Sequence, residues 1–241
     1  FYEPIIENID EFMKSVLHQK IVKIDRYAKY LIFRLNDGCI ISHLRMEGKY
    51  YIQKEEENLL KYVHVVFHLD DGTKLSYADM RKFGRMVFKK ENELFTTPPL
   101  SKLGVEANSS LIDRNVLYAK IPNKHLAIKT VLLDQTLISG LGNIYADEVL
   151  FYAHILPMRN ASSITKEELE SILEGSRIIL NEAILKKGCT IRSYTSSLGV
   201  KGSYQEKLCV HTKTNCLCCN EAVLKMKIGG RTSYYCKHCQ R

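Results

Sequence analysis

Leu132-Leu133-Asp134-Gln135-Thr136-Leu137-Ile138-Ser139-Gly140-Leu141-Gly142-Asn143-Ile144-Tyr145-Ala146-Asp147-Glu148 is the stretch whose reading decides the fold. Around its start, Ile128, Val131, Leu132 and Leu133 form an apolar stripe at helical spacing, which stops at Ser139-Gly140-Leu141-Gly142. Asn143, a residue type whose short amide satisfies free backbone N–H groups, is expected to cap a second helix running through Ala146, Val149 and Leu150. Further on, Thr165 followed by Glu168 has the form of a capping box, and the helix it launches runs to about Lys187-Gly188. The polar, glycine-bearing stretch Tyr194–Ser203 reads as a loop.

Toward the N-terminus the period shortens to that of strands. Tyr30–Leu35 and Cys39–Leu44 flank Asn36-Asp37-Gly38, a hairpin-turn sequence, and Tyr62–Leu69 and Lys74–Tyr77 repeat the pattern around Asp70-Asp71-Gly72. These runs are rich in β-branched and aromatic residues, as antiparallel strands should be. Thr96-Thr97-Pro98-Pro99-Leu100 breaks the pattern. The expected fold class is α+β, with a β-sandwich over 1–100, a helical domain over 101–203 and a small module over 204–241.

That last module carries the most specific spacing in the chain. Cys216-x2-Cys219, sixteen residues, and then Cys236-x2-Cys239 put two pairs of thiolates on tight turns. Two such knuckles complete a tetrahedral S4 site for Zn²⁺. With four protein ligands the ion has no open position, so one structural zinc is expected. Two disulfides or buried free thiols are the alternatives, the disulfides disfavoured without a secretory signal. Cys218 falls out of register, and Cys39, Cys189 and Cys209 read as ordinary buried thiols. Between the knuckles, Leu224–Ile228 and Arg231–Tyr235 read as strands joined by Gly229-Gly230, a turn that pushes Arg231 outward.

Composition narrows the class of protein. At 241 residues with 45% hydrophobic content, the chain can bury a core, which excludes a disordered or collagen-like protein. No run of about 18 apolar residues occurs, so no membrane helix is expected. The net charge is +8, and the segment from Lys201 to Arg241 holds eight Lys or Arg against Glu206 and Glu221 alone. A compact basic module favours a polyanionic partner, nucleic acid first and an anionic membrane second, while charge alone is equally met by a solvated surface.

The opening stretch resembles the helix–two-turn–helix of the formamidopyrimidine-DNA glycosylase family, and the paired CxxC motifs with Gly229-Gly230-Arg231 resemble that family's zinc finger. Arg26–Leu31, His43-Leu44-Arg45-Met46-Glu47-Gly48 and Asp79-Met80-Arg81-Lys82-Phe83-Gly84 are similar to its remaining signatures, in the same order. The resemblance implies a bacterial, cytoplasmic, monomeric repair enzyme acting on damaged double-stranded DNA, with no membrane partner. It would extrude oxidised purines such as 8-oxoguanine, cut the glycosidic bond and nick the strand as an AP lyase. Base extrusion answers a physical need, because the reactive sugar carbon is inaccessible inside a stacked duplex.

The same resemblance assigns roles. Lys29 and His43, on predicted strands, would hold backbone phosphates together with Asn143 and Arg231, Lys29 also assisting catalysis. Met46, Arg81 and Phe83 would fill the space left by the extruded base and read its orphaned partner. Lys129 would stand near the lesion, and the loop from Ile191 to Gln205 would close over the extruded base. On periodicity alone, Met46 and Phe83 read as core residues and Lys129 as a polar-face helical residue. The family's catalytic pair is an amino-terminal Pro, the nucleophile, and the adjacent Glu, the general acid. Phe1-Tyr2-Glu3-Pro4 does not match that pair, so the chain is expected to be a fragment lacking it.

Three other readings compete. A non-catalytic DNA-binding module could use the same helices and zinc ribbon, and upstream codons encoding Met-Pro-Glu would favour the enzyme instead. An endonuclease VIII-like enzyme for oxidised pyrimidines would carry different residue types at positions 46, 81 and 83. An RNA-associated zinc-ribbon protein leaves those three unexplained.

Overall fold

Asp-Gly turns organise the first part of the molecule. The computed structural model describes residues 5–121, 125–189 and 202–241. After helix α1 (Ile9–Val16) come β1 (Lys23–Tyr27), β2 (Tyr30–Arg34), β3 (Cys39–His43), β4 (Lys49–Lys54), β5 (Val63–His68), β6 (Thr73–Ala78) and β7 (Arg85–Lys89). Gly38 (φ 87°) and Gly72 (φ 78°) take left-handed backbone in the turns joining β2 to β3 and β5 to β6. Only glycine adopts that conformation at no steric cost. The strands form two antiparallel sheets, ordered β1-β2-β3-β7 and β4-β6-β5. Phe33, Ile40 and Met86 from the first sheet share a core with Tyr50 and Tyr77 from the second and with Phe12 of α1. The Phe33 and Tyr77 rings each lie 5.2 Å from that of Tyr50. The buried Tyr50 hydroxyl donates to Ser42 Oγ at 2.8 Å, so the aromatic core leaves no orphaned donor there.

The remainder is helical until its last strands: β8 (Val105–Glu106), α2 (Arg114–Lys120), α3 (Ile128–Leu132), β9 (Ile138–Ser139), α4 (Asn143–Tyr152), α5 (Lys166–Leu185), and a ribbon of β10 (Leu224–Ile228) and β11 (Arg231–Tyr235). Ala146 through Phe151 of α4 are all buried. Against this helix α5 packs closely, since a Cβ on Gly175 would come within 2.6 Å of the Tyr152 ring. The capping box forms as expected, with Thr165 Oγ1 accepting from the Glu168 amide and Glu168 Oε2 accepting from the Thr165 amide. Arg159 clamps the same carboxylate through two hydrogen bonds, at 2.6 and 2.9 Å.

The chain folds as two compact units, Phe1–Ser101 with Cys189–Gly202, and Lys102–Gly188 with Ser203–Arg241. The cysteine ribbon, expected as a domain apart from the helices, therefore shares one compact unit with them. Asn143 also departs from expectation. It is the first helical residue of α4, and Gly142, in extended backbone, stands at the cap. Phe1-Tyr2-Glu3-Pro4 and most of the loop expected from Ile191 to Gln205 lie outside the described residues. Among the described residues, no helix is long and apolar enough to cross a membrane.

Candidate nucleic-acid interface and metal centre

In the β-rich unit, a buried aspartate builds an exposed cluster. Asp79 is 1% exposed and accepts hydrogen bonds from the backbone amides of Arg81, Phe83 and Gly84 at 2.9–3.0 Å and from the Tyr77 hydroxyl at 3.2 Å. Four donors on one carboxylate fix the turn after β6. Gly84 is required there, because a Cβ would overlap the Tyr77 hydroxyl. The turn presents Arg81 and Phe83 outward, with the guanidinium 4.6 Å above the Phe83 ring centroid. Arg81 Nη1 also donates to Met46 Sδ at 3.1 Å. Met46 is 70% exposed and Phe83 40%, so neither is the core residue that periodicity suggested. Large apolar side chains gathered in water around a cation make this cluster a candidate binding surface.

His43 ends β3, half-buried, with its ring edge-on to Tyr30 at 4.6 Å. Its Nδ1 accepts the Arg45 backbone N–H at 3.0 Å, which leaves the imidazole proton on Nε2. Burial, together with the charges of Arg45 and Lys29, pushes its pKa down to about 4. At neutral pH His43 is therefore an uncharged donor. Lys29 does not lie in a strand as expected. Tyr27 pairs with Tyr30, so Ala28 and Lys29 form the two-residue turn between β1 and β2, and Lys29 is exposed.

In the other unit, the Sγ atoms of Cys216, Cys219, Cys236 and Cys239 lie within 4.8 Å of one another, a cluster able to hold a metal ion. Cys216 and Cys239 are 3.8 Å apart, and Cys219 and Cys236 3.4 Å apart. Zn–S bonds of about 2.3 Å in a tetrahedron place sulfurs about 3.8 Å from each other, whereas a disulfide needs about 2 Å. The quartet thus fits a closed tetrahedral metal site. Cys218 is exposed, Cys39 is buried, and Cys189 and Cys209 are only half-buried.

The ribbon is mounted on α4. Asn143 Nδ2 donates to the Thr232 carbonyl at 3.0 Å, and Arg231, the next residue back along β11, is exposed. Glu148 accepts the consecutive amides of Cys209, Val210 and His211 at 2.6–3.0 Å. Burial raises its pKa, and those three hydrogen bonds oppose the shift. Lys129 contradicts its expected position on a polar helix face. It is fully buried, paired with Asp147 at 2.6 Å and donating to Ser233 Oγ at 2.7 Å. Burial lowers its pKa, and the Asp147 carboxylate works against that shift. Asp79, Asp147 and Glu148 are the supports of these candidate residues that sequence reasoning missed.

Residues 1–86 match the family model described as the formamidopyrimidine-DNA glycosylase N-terminal domain, and residues 103–195 match that described as the formamidopyrimidine-DNA glycosylase H2TH domain. The formamidopyrimidine-DNA glycosylase of Exiguobacterium sp. is 40% identical over 98% of this chain and 88% of its own length. That of Bacillus cereus is 42% identical over 99% and 88%. Among solved structures, a complex between the Lactococcus lactis Fpg and abasic-site-containing DNA superposes with a TM-score of 0.92 at 34% identity, covering 100% of this chain and 89% of that one. A complex of the same Lactococcus protein with Fapy-dG-containing DNA gives 0.89 at 33% identity, covering 97% and 87%.

Proposed function

Because the chain belongs to the formamidopyrimidine-DNA glycosylase family, we propose that it serves base-excision repair as a cytoplasmic, monomeric glycosylase and AP lyase for oxidised purines in duplex DNA. The observation that carries this reading is the exposed cluster of Met46, Arg81 and Phe83, braced from beneath by Asp79. Extruding a base leaves a gap and an unpaired partner. A flexible thioether suits the gap, a planar five-donor guanidinium suits the orphaned base edge, and an aromatic ring suits the wedge. A solvated surface has no need of these three together.

Lys29, His43, Asn143 and Arg231 are proposed to hold backbone phosphates. His43 would contribute a neutral Nε2–H donor and Arg231 a charge-assisted pair of donors. The four cysteines would hold one Zn²⁺, which cross-links the knuckles and supplies no open coordination position for chemistry.

The nucleophile and general acid are proposed to be the Pro and Glu of a processed amino terminus, and neither role is given to a residue between 1 and 241. Lys129 does not suit the nucleophile's role, since an amine must be unprotonated and within reach of the sugar carbon, and this one is buried in an ion pair. Borohydride trapping on an 8-oxoguanine duplex tests the reading. A form extended by a Pro-Glu terminus should release the base, cut the strand and crosslink, while residues 1–241 alone should bind and do none of these. Equal trapping by both forms would sink the nucleophile assignment. Failure of the extended form to release 8-oxoguanine would sink the substrate class.

A further inference from the structure

We propose that Asp147 is a positioning residue that fixes where Arg231 stands relative to Asn143, so that the two meet the DNA backbone at one set spacing. The proposal rests on the reading of Asn143 and Arg231 as phosphate contacts. Asn143 and Asp147 lie one turn apart on α4, and residues four apart share a helix face. Both reach strand β11. Asn143 Nδ2 donates to the Thr232 carbonyl at 3.0 Å, and the Tyr234 amide donates to Asp147 Oδ2 at 3.1 Å. Residues 232 and 234 repeat with the strand period, so α4 grips β11 at two alternate rungs. Between them, Ser233 is fully buried, its hydroxyl held by Lys129.

Asp147 gathers donors from three separate segments. Its Oδ1 pairs with Lys129 of α3, and its Oδ2 accepts from His211 Nδ1 at 2.7 Å as well as from β11. The hairpin tip is located too, since a Cβ on Gly229 would stand 3.0 Å from Thr130 Oγ1. Arg231 therefore leaves the ribbon between two fixed points, the tip against Thr130 and the Thr232 carbonyl against Asn143. A fully buried carboxylate and ammonium cost desolvation that a purely packed core would avoid. Here that pair holds a strand in register against a helix.

Removing Asp147 alone would strand the Lys129 charge, so the test uses the neutral pair Lys129→Met with Asp147→Asn in the full 241-residue chain. Binding to a duplex carrying a tetrahydrofuran abasic-site analogue is followed as a function of salt. Loss of one phosphate contact flattens the slope of log K against log salt by about 0.9. Arg231→Ala should show that change. The neutral pair, loaded with one metal per chain, should show the same change, and the triple variant should show no more. A wild-type slope in the neutral pair, or losses that add in the triple variant, overturns the positioning role. A wild-type slope in Arg231→Ala overturns the phosphate reading and the proposal with it. Should the first neutral pair fail to load metal, Lys129→Gln with Asp147→Asn retains hydrogen-bonding groups and is held to the same outcomes.

Discussion

Arg81 sits between a thioether and an aromatic face, with its backbone amide held by Asp79. Contact with a ring holds an exposed guanidinium by about 0.5–1 kcal/mol, enough to bias a long side chain toward one orientation before DNA arrives. If that orientation serves to read the orphaned base, Arg81→Ala should alter the preference among duplexes that differ only opposite the lesion. A bidentate base contact discriminates by about 1–3 kcal/mol, so the ratio between best and worst opposite base should fall by about one order of magnitude or more. Equilibrium binding to four abasic-analogue duplexes measures this, and a uniform loss on all four would exclude direct readout. The three exposed side chains are legible in the sequence through family likeness alone. Asp79 is not, because its role lies in backbone amides that carry no letter of their own.

At the scale of elements, the turn chemistry explains both what is legible and what is not. Asn36-Asp37-Gly38 and Asp70-Asp71-Gly72 announce their hairpins through a glycine that takes positive φ. The turn at Ala28-Lys29 has no such marker, for Ala28 itself adopts φ 50°, and the run of letters there reads as continuous strand. Helix α4 hides its supports differently. Asp147 and Glu148 interrupt a run of apolar residues, and acids inside a helix buried all round must find partners elsewhere in the chain. That interruption is a usable signal. The ribbon's four cysteines are legible from spacing, and their exchange gives a direct check. Cys219→Ser should abolish stoichiometric metal and weaken DNA binding, whereas the exposed Cys218→Ser should retain one metal per chain. Metal analysis of both variants decides it, and equal loss in the two would mean that the ligand register is wrong.

The whole molecule consists of two compact units, and the proposed phosphate contacts are divided among them: Lys29 and His43 in one, Asn143 and Arg231 in the other. Because Lys29 and Arg231 belong to separate units, their effects should add, since substitutions at independent sites combine within about 0.5 kcal/mol. Lys29→Ala and Arg231→Ala should each flatten the salt dependence by about 0.9, and the double variant by about twice that. A double variant no worse than either single one would show that the lysine and arginine contacts depend on each other.

The brace beneath the exposed cluster bears on how such a protein can diverge. Asp79 holds its turn through main-chain amides, and Tyr77 forbids any side chain at Gly84, so the frame is written in three letters. The side chains at 46, 81 and 83 are exposed, and none of them holds the turn, which rests on Asp79. Frame and vocabulary are thus separately heritable. If those three side chains read the orphaned base, as proposed, a lineage can revise which base it recognises, one codon at a time, without passing through an unfolded ancestor.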